Sequence, residues 1–428
     1  MSALARRAAR APYSLLLRIA LPLYLLRVRW RGRAEPLYAT AIGERTGHYR
    51  EAAPSGALWI HAVSLGETRA AAPLIAALRQ ARPRLRLLLT HGTATGRAAG
   101  KELLREGDLQ AWLPWDTPGG VRRFLAHFAP AGGVLMETEI WPNLLAAAKA
   151  HGLPVILANA RLSERSRRRG AKVDALLRPA FESLAAALAQ TEADAERLRD
   201  AGVAEVVVAG NLKFDIAPEA ELIERGKHWK RVLGGRPVLL AAVTREGEEA
   251  SLLASWLEVA SPRPLLVVVP RHPQRFDAVA ALIAEAGFGC SRRSAWPDSP
   301  PPTAITDDVW LGDSMGEMPA WYALADAALL GGSFVPLGGQ NLIEAAACGC
   351  PVVMGPHTFN FADAAELALA AGAAIRVATI EEGIAAALAL GQGEERRRRS
   401  VAGLAFASEH RGAAARMAEA ILERLPGA

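Results

Sequence analysis

Glu67 closes the run His61-Ala62-Val63-Ser64-Leu65-Gly66-Glu67, which follows a short apolar stretch and precedes the helical apolar pattern of residues 70–78. A carboxylate at such a strand-to-helix turn can take the proton of a sugar hydroxyl as that oxygen attacks an anomeric carbon, the base's part in an inverting transfer. It would also favour the helix start merely by facing the positive end of the dipole. Gly66 allows a tight turn whose N–H groups can meet an anion or a hydroxyl. A second acidic run, Glu137-Thr138-Glu139-Ile140-Trp141-Pro142-Asn143, ends another apolar stretch. Two acids with a Trp and a Pro suit contact with a sugar. Paired carboxylates could also hold a metal, but no D-x-D occurs in the chain, so a metal-held diphosphate is not expected. Asn159-Ala160-Arg161-Leu162-Ser163 brings the first cation to the same wall.

The second half of the chain carries a different chemistry. Val269-Pro270-Arg271-His272-Pro273 ends an apolar run with a guanidinium and an imidazole, groups suited to phosphate; a solvated loop arginine is the alternative. Gly331-Gly332-Ser333 and Gly338-Gly339-Gln340-Asn341-Leu342-Ile343-Glu344 set a Gly-rich turn before a helix start. Backbone amides there can cradle a phosphate, while Glu344 can accept ribose hydroxyls.

These residues need elements to hold them. Apolar runs at 57–62, 85–90, 133–136, 154–157, 185–189 and 206–209 alternate with helical patterns, the mark of βαβ units and a parallel sheet. A second series at 237–242, 265–269, 327–330 and 351–354 predicts a second doubly wound domain. Residues 292–306, rich in Pro and Ser, are expected to form an exposed loop before one more short strand, and 394–425 to be helical. With 428 residues there is chain for two cores. Ligands of such sheets bind beyond the carboxyl ends of the strands, so the expected site is a cleft between two domains.

Charge is uneven. Residues 1–50 hold ten Arg and two Glu, a balance of +8, against +6 for the whole chain. That argues against a basic nucleic-acid-binding body and points to a basic arm for an anionic surface. Within the arm, Pro12 to Leu26 is apolar but interrupted by Arg18 and Pro22, and the cluster Arg27-Val28-Arg29-Trp30-Arg31-Gly32-Arg33 follows it. The stretch is short for a spanning helix and lacks a cleavage site, so it reads as a retained anchor lying in or dipping into a leaflet. The other reading is a long helix packed on the first domain. Three cysteines, Cys290, Cys348 and Cys350, form neither a disulfide framework nor a zinc site.

Six blocks together resemble the 3-deoxy-D-manno-octulosonic acid (Kdo) transferases of the GT-B architecture: HAVSLGE at 61–67, ETEIWPN at 137–143, GNLKFD at 210–215, PRHPQRF at 270–276, GDSMGEM at 312–318 and GGQNLIEAAACGCPVVMGP at 338–356. The resemblance implies two Rossmann-like domains and transfer of Kdo from CMP-Kdo to the lipid A precursor, with inversion and without a metal or other cofactor. It implies Glu67 as proton acceptor, with Glu137 or Glu139 and Lys213 assisting the transition state. Pro270, Arg271, His272, Gly316, Glu317, Met318, Asn341, Leu342, Ile343 and Glu344, with Thr244 and Ser333, would hold the donor. Ser64, Gly66, Arg69, Glu139, Arg161 and Ser163 would line the acceptor side. The implied partition is an anchoring segment at 1–34, an acceptor domain at 35–209 and a donor domain at 210–428 that includes the C-terminal helix, at the cytoplasmic face of the inner membrane. One departure stands out: where the family usually has Ser-Thr-His, this chain has Val243-Thr244-Arg245. Two rival readings share these features: a uridine-diphosphate hexose transferase or epimerase, and a catalytically silent lipid A binding protein.

Overall fold

Continuous apolar runs such as Leu58-Trp59-Ile60 and Leu265-Leu266-Val267-Val268-Val269 have no polar alternation, so a strand made from them must be covered on both faces. A parallel sheet between helix layers provides that cover. The computed structural model, which describes residues 3–50, 52–391 and 393–425, has two such sheets, one in each of two units: Met1–Ile216 with Arg411–Ala428, and Ala217–His410.

In the first unit the strands are β1 (Leu58–His61), β2 (Leu87–His91), β3 (Leu109–Trp112), β4 (Gly132–Met136), β5 (Val155–Ala160), β6 (Ala186–Ala189) and β7 (Val206–Val208). They are parallel and ordered β3-β2-β1-β4-β5-β6-β7. The order reverses between β1 and β4, where Leu58 pairs with Gly132 and His61 with Leu135. Gly133 is required there, because a Cβ would fall 2.8 Å from the Trp59 ring.

The second unit contains β8 (Val238–Thr244), β9 (Leu265–Pro270), β10 (Cys290–Arg292), β11 (Val309–Leu311), β12 (Ala327–Leu330), β13 (Val352–Met354) and β14 (Ala374–Arg376). Their order is β10-β11-β9-β8-β12-β13-β14, all parallel, with the reversal between β8 and β12.

Three expectations need correction. The helical pattern at 394–425 is broken at Gly412 (φ +95°), and only Glu394–Glu409 stays with the second unit. The helix Ala413–Leu422 returns to the first, where Met417, Ile421 and Leu425 complete the core formed by Ile60, Leu74 and Leu78. Asp215 fastens it, its carboxylate accepting the amides of Gly412 and Ala414, both at 2.6 Å. The boundary expected at 210 therefore shifts to 216, which leaves Lys213 on the first unit. The predicted loop at 292–306 is not wholly exposed either: Trp296 and Ala304 are buried, Trp296 packing edge-on against Trp229 and Trp310.

At the N-terminus a single helix, Ala3–Arg31, runs through both Pro12 and Pro22. Its stretch Ala8–Arg31 is long and apolar enough to cross a membrane. One face is nonetheless docked on the first unit: Tyr13 donates to Asp116 (3.0 Å), Ser14 to Asn143 (3.0 Å), Arg45 to the Tyr24 hydroxyl (2.9 Å), and Tyr24 stacks on Trp115. The opposite face exposes Leu15, Leu16, Ile19, Leu23, Leu26 and Trp30.

Candidate active site

The first half-site lies where the order of the first sheet reverses, the position at which open α/β sheets bind ligands. Ser64 caps the helix Leu65–Ala81 after β1, and Glu67 sits three residues on, a capping arrangement. The Glu67 carboxylate accepts the Val63 amide at 2.8 Å and the Ser64 hydroxyl at 3.0 Å. Both donors favour the charged form, but burial and then the negative charges of Glu137 and Glu139 outweigh them, raising the carboxyl to about 7. A carboxylate poised near neutrality is well matched to proton abstraction at physiological pH.

Glu137 follows β4 with its backbone in the left-handed region (φ +59°), as does Asn159 near the end of β5 (φ +52°). Such a conformation is uncommon outside glycine and clusters at functional sites. Here it has identifiable supports. The Glu137 amide is held by Ala158 O, its carbonyl accepts the Arg161 amide, and the buried Asn159 side chain accepts the amide of Leu212 at 3.1 Å. Asn211 then caps the short turn Leu212–Asp215 by accepting the Lys213 amide, and Lys213 Nζ comes within 3.5 Å of Glu137 Oε1. The two charges are each about one fifth exposed, so the pair keeps access to water and to a ligand.

Glu139 is half-buried, its carboxyl raised first by burial and further by Glu137. Gly66 and Arg69 are exposed, and Arg161 is half-buried. Ser163 is spent on capping the helix Glu164–Ala171, accepting the Ser166 amide. Asn159 and Asn211 are the residues that sequence reasoning left without a role, although both stand within quoted runs; an Asn at a strand exit, tolerant of the left-handed region, was the available signal.

The second half-site gathers at the reversal of the second sheet. β8 ends in a register shift at Val243, whose φ is +59°. For a β-branched residue that is an outlier. Gly331 makes room for it, since a Cβ there would lie 2.2 Å from the Val243 carbonyl oxygen. Two acids anchor the turn. Glu248, almost fully buried, accepts the amides of Arg245 (2.9 Å), Gly332 (2.7 Å) and Phe334 (3.2 Å), joining the loops after β8 and β12. Burial still raises its carboxyl above the usual range despite those amides. Glu249 accepts the Thr244 hydroxyl at 2.8 Å and pairs with Arg275 at 2.5 Å.

Arg271 and His272 follow β9 beside this turn, the Arg271 amide donating to Thr244 O. His272 is exposed, and its imidazole is driven below its ordinary range by burial and then by Arg245 and Arg271. Arg245 at the end of β8 and Arg271 at the end of the neighbouring β9 are thus both near enough to act on that imidazole. Pro270, Leu342 and Ile343 are buried in the unit's interior. Thr244 and Ser333 are buried as well, the Ser333 hydroxyl donating to Leu330 O and accepting the Gly355 amide. These five can offer a ligand their backbone but not a reactive side chain. Asn341 caps a helix of only six residues, Leu342–Ala347, and Glu344 is half-buried within it. Gly316 is exposed (φ +86°) and Met318 half-buried, while Glu317 is held by Ser314, Arg225 and Arg293. Burial would raise the Glu317 carboxyl, but those donors keep it below its usual range. Among the described residues no group of three or more His, Cys, Asp or Glu is arranged to hold a metal ion.

The family model described as 3-Deoxy-D-manno-octulosonic-acid transferase (kdotransferase) matches residues 40–216, ending where the first unit gives way to the second. A 3-deoxy-D-manno-octulosonic acid transferase from Bordetella pertussis is 48% identical over 428 residues, covering 96% of this chain and 98% of its own. This chain belongs to the Kdo transferase family. A second Kdo transferase, from Haemophilus influenzae, is 34% identical over 417 residues, covering 95% and 96% of the two chains. A solved glycosyltransferase from Rickettsia africae superposes with a TM-score of 0.58 at 13% identity, covering 86% of this chain and 97% of that one. That likeness concerns the fold, two Rossmann-like units of the GT-B type. Kdo transferases are glycosyltransferases.

Proposed function

We propose that this Kdo transferase moves Kdo from CMP-Kdo to the lipid A precursor with inversion, the first unit supplying the acceptor side and the second the donor side. The observation that carries the reading is Glu67, a carboxylate near neutrality at the turning point of a sheet, with Glu137 and Lys213 at the next strand exit. The acceptor hydroxyl gives its proton to Glu67 as its oxygen bonds to the anomeric carbon. The bond from that carbon to the cytidylate oxygen breaks on the opposite face, and CMP leaves with the electron pair. Kdo carries a carboxylate beside the reacting carbon and the leaving group is a phosphate, so two anions need cations as the bond stretches. Lys213 on the acceptor side and Arg245 with Arg271 on the donor side suit that need.

The acceptor is an acylated, phosphorylated saccharide, so the enzyme has to work at a bilayer. The docked N-terminal helix favours lying along the cytoplasmic leaflet of the inner membrane over crossing it, because one face is hydrogen-bonded to the first unit through Tyr13, Ser14 and Tyr24 while the other exposes its large apolar side chains. Withdrawing its six exposed side chains from water is worth roughly 1–2 kcal/mol each. Exposed Arg18, Arg27 and Arg29 add attraction for anionic headgroups.

The test is transfer itself: radiolabelled CMP-Kdo and a tetra-acylated lipid A precursor in mixed micelles, with the product resolved by thin-layer chromatography. Labelled lipid is expected with CMP-Kdo and none with UDP-hexoses. Turnover of a UDP-sugar with none of CMP-Kdo would instead favour a uridine-nucleotide enzyme on the same scaffold.

A further inference from the structure

We propose that Arg245 binds the phosphate of the donor nucleotide and sets how tightly this chain holds it; the inference rests on the reading of the second unit as the donor side. Arg245 follows β8 at the reversal of the second sheet, and its backbone is fixed from both directions. Its amide donates to the buried Glu248, and its carbonyl accepts the Glu248 amide. The side chain lies along Gly332, where a Cβ would come within 3.5 Å of Arg245 Cγ. Its Nε is buried without a hydrogen-bond partner, and among the described residues no carboxylate forms an ion pair with it.

Its neighbours behave differently. Arg275 is committed to Glu249 through two hydrogen bonds, and Glu248 spends both its oxygens on three backbone amides. A partly buried guanidinium with a sheltered, unmet N–H is costly unless an anion completes it. An incoming phosphate would satisfy Nε and a terminal nitrogen together, in the forked geometry that arginine provides and lysine does not. The Glu248 tether and the glycine at 332 hold the fork beside the turn of half-buried Arg271 and exposed His272, so the phosphate would meet a preformed cationic wall.

Calorimetric titration of the full-length chain with CMP and with cytidine separates the possibilities. Arg245→Ala should weaken CMP by about tenfold to a hundredfold, the range for a charge-assisted bond, while cytidine binding stays within twofold of wild type. Arg245→Lys should recover only part of the loss, because the charge returns without the fork. CMP affinity unchanged in Arg245→Ala would overturn this inference alone. So would loss of cytidine together with CMP, which would make Arg245 architectural, or an effect confined to the KM for CMP-Kdo, which would assign it to the sugar carboxylate. A wild-type chain that binds no CMP would overturn the donor-side reading as well.

Discussion

At the residue scale the first half-site is a balance of charges. Glu67 is raised by its own burial and by two neighbouring carboxylates, while Lys213 stands 3.5 Å from one of those neighbours. In the proposed function Lys213 meets negative charge as the donor bond breaks. We expect Lys213→Met to lower kcat by roughly a hundredfold to a thousandfold with KM little changed, the pattern of an interaction made in the transition state. Steady-state kinetics on purified variants checks this; a rise in KM alone would make Lys213 a ground-state binding residue. Spacing alone left Glu67 divided between a catalytic base and a helix opener. Its bonds to Val63 and Ser64 give it the capping contacts, and its raised proton affinity is a property a helix opener does not need. The position of Lys213 was illegible in the same way, because it depends on Asn159 reaching from another strand to Leu212, 53 residues away in sequence.

At the scale of elements, the apolar runs read from sequence fall on ten of the strands to within a few residues, since long buried strands leave uninterrupted hydrophobic signatures. The strands that were not read are β3, β10 and β14, which lie at or next to sheet edges and carry Gln110, Ser291, Arg292 and Arg376 in runs of three or four residues. The N-terminal helix is the element whose two readings were hardest to part, and it turns out to have two faces. Deleting it would strip Tyr13 and Ser14 from Asp116 and Asn143, so truncation would confound anchoring with folding. A cleaner change is Leu16→Glu with Ile19→Glu and Leu23→Glu, all on the outer face. This variant should keep its melting temperature in detergent to within a few degrees yet stay in the supernatant after sedimentation with anionic vesicles. Continued pelleting would refute the leaflet assignment.

At the scale of the molecule, chain order and unit membership part company. The C-terminal helix returns to the first unit because that unit's core is unfinished without Met417, Ile421 and Leu425, a fact no local pattern could announce. In the proposed function the first unit carries the base and the second the anion site, and the proposed base has a cost. Because the folded chain binds the Glu67 proton more tightly than the unfolded chain, its contribution to stability falls as pH rises from 4.5 to about 7, over the same interval in which the active carboxylate forms. The most direct test of the account is therefore the pH dependence of kcat/KM for Kdo transfer, measured on wild type and Glu67→Gln between pH 5.5 and 8.5. Wild type should lose activity about tenfold per pH unit below about 7, and the variant should be slower by at least a thousandfold, with that limb gone. A variant that keeps most of its turnover, or the same acid limb in both proteins, would contradict the assignment of Glu67 as the base.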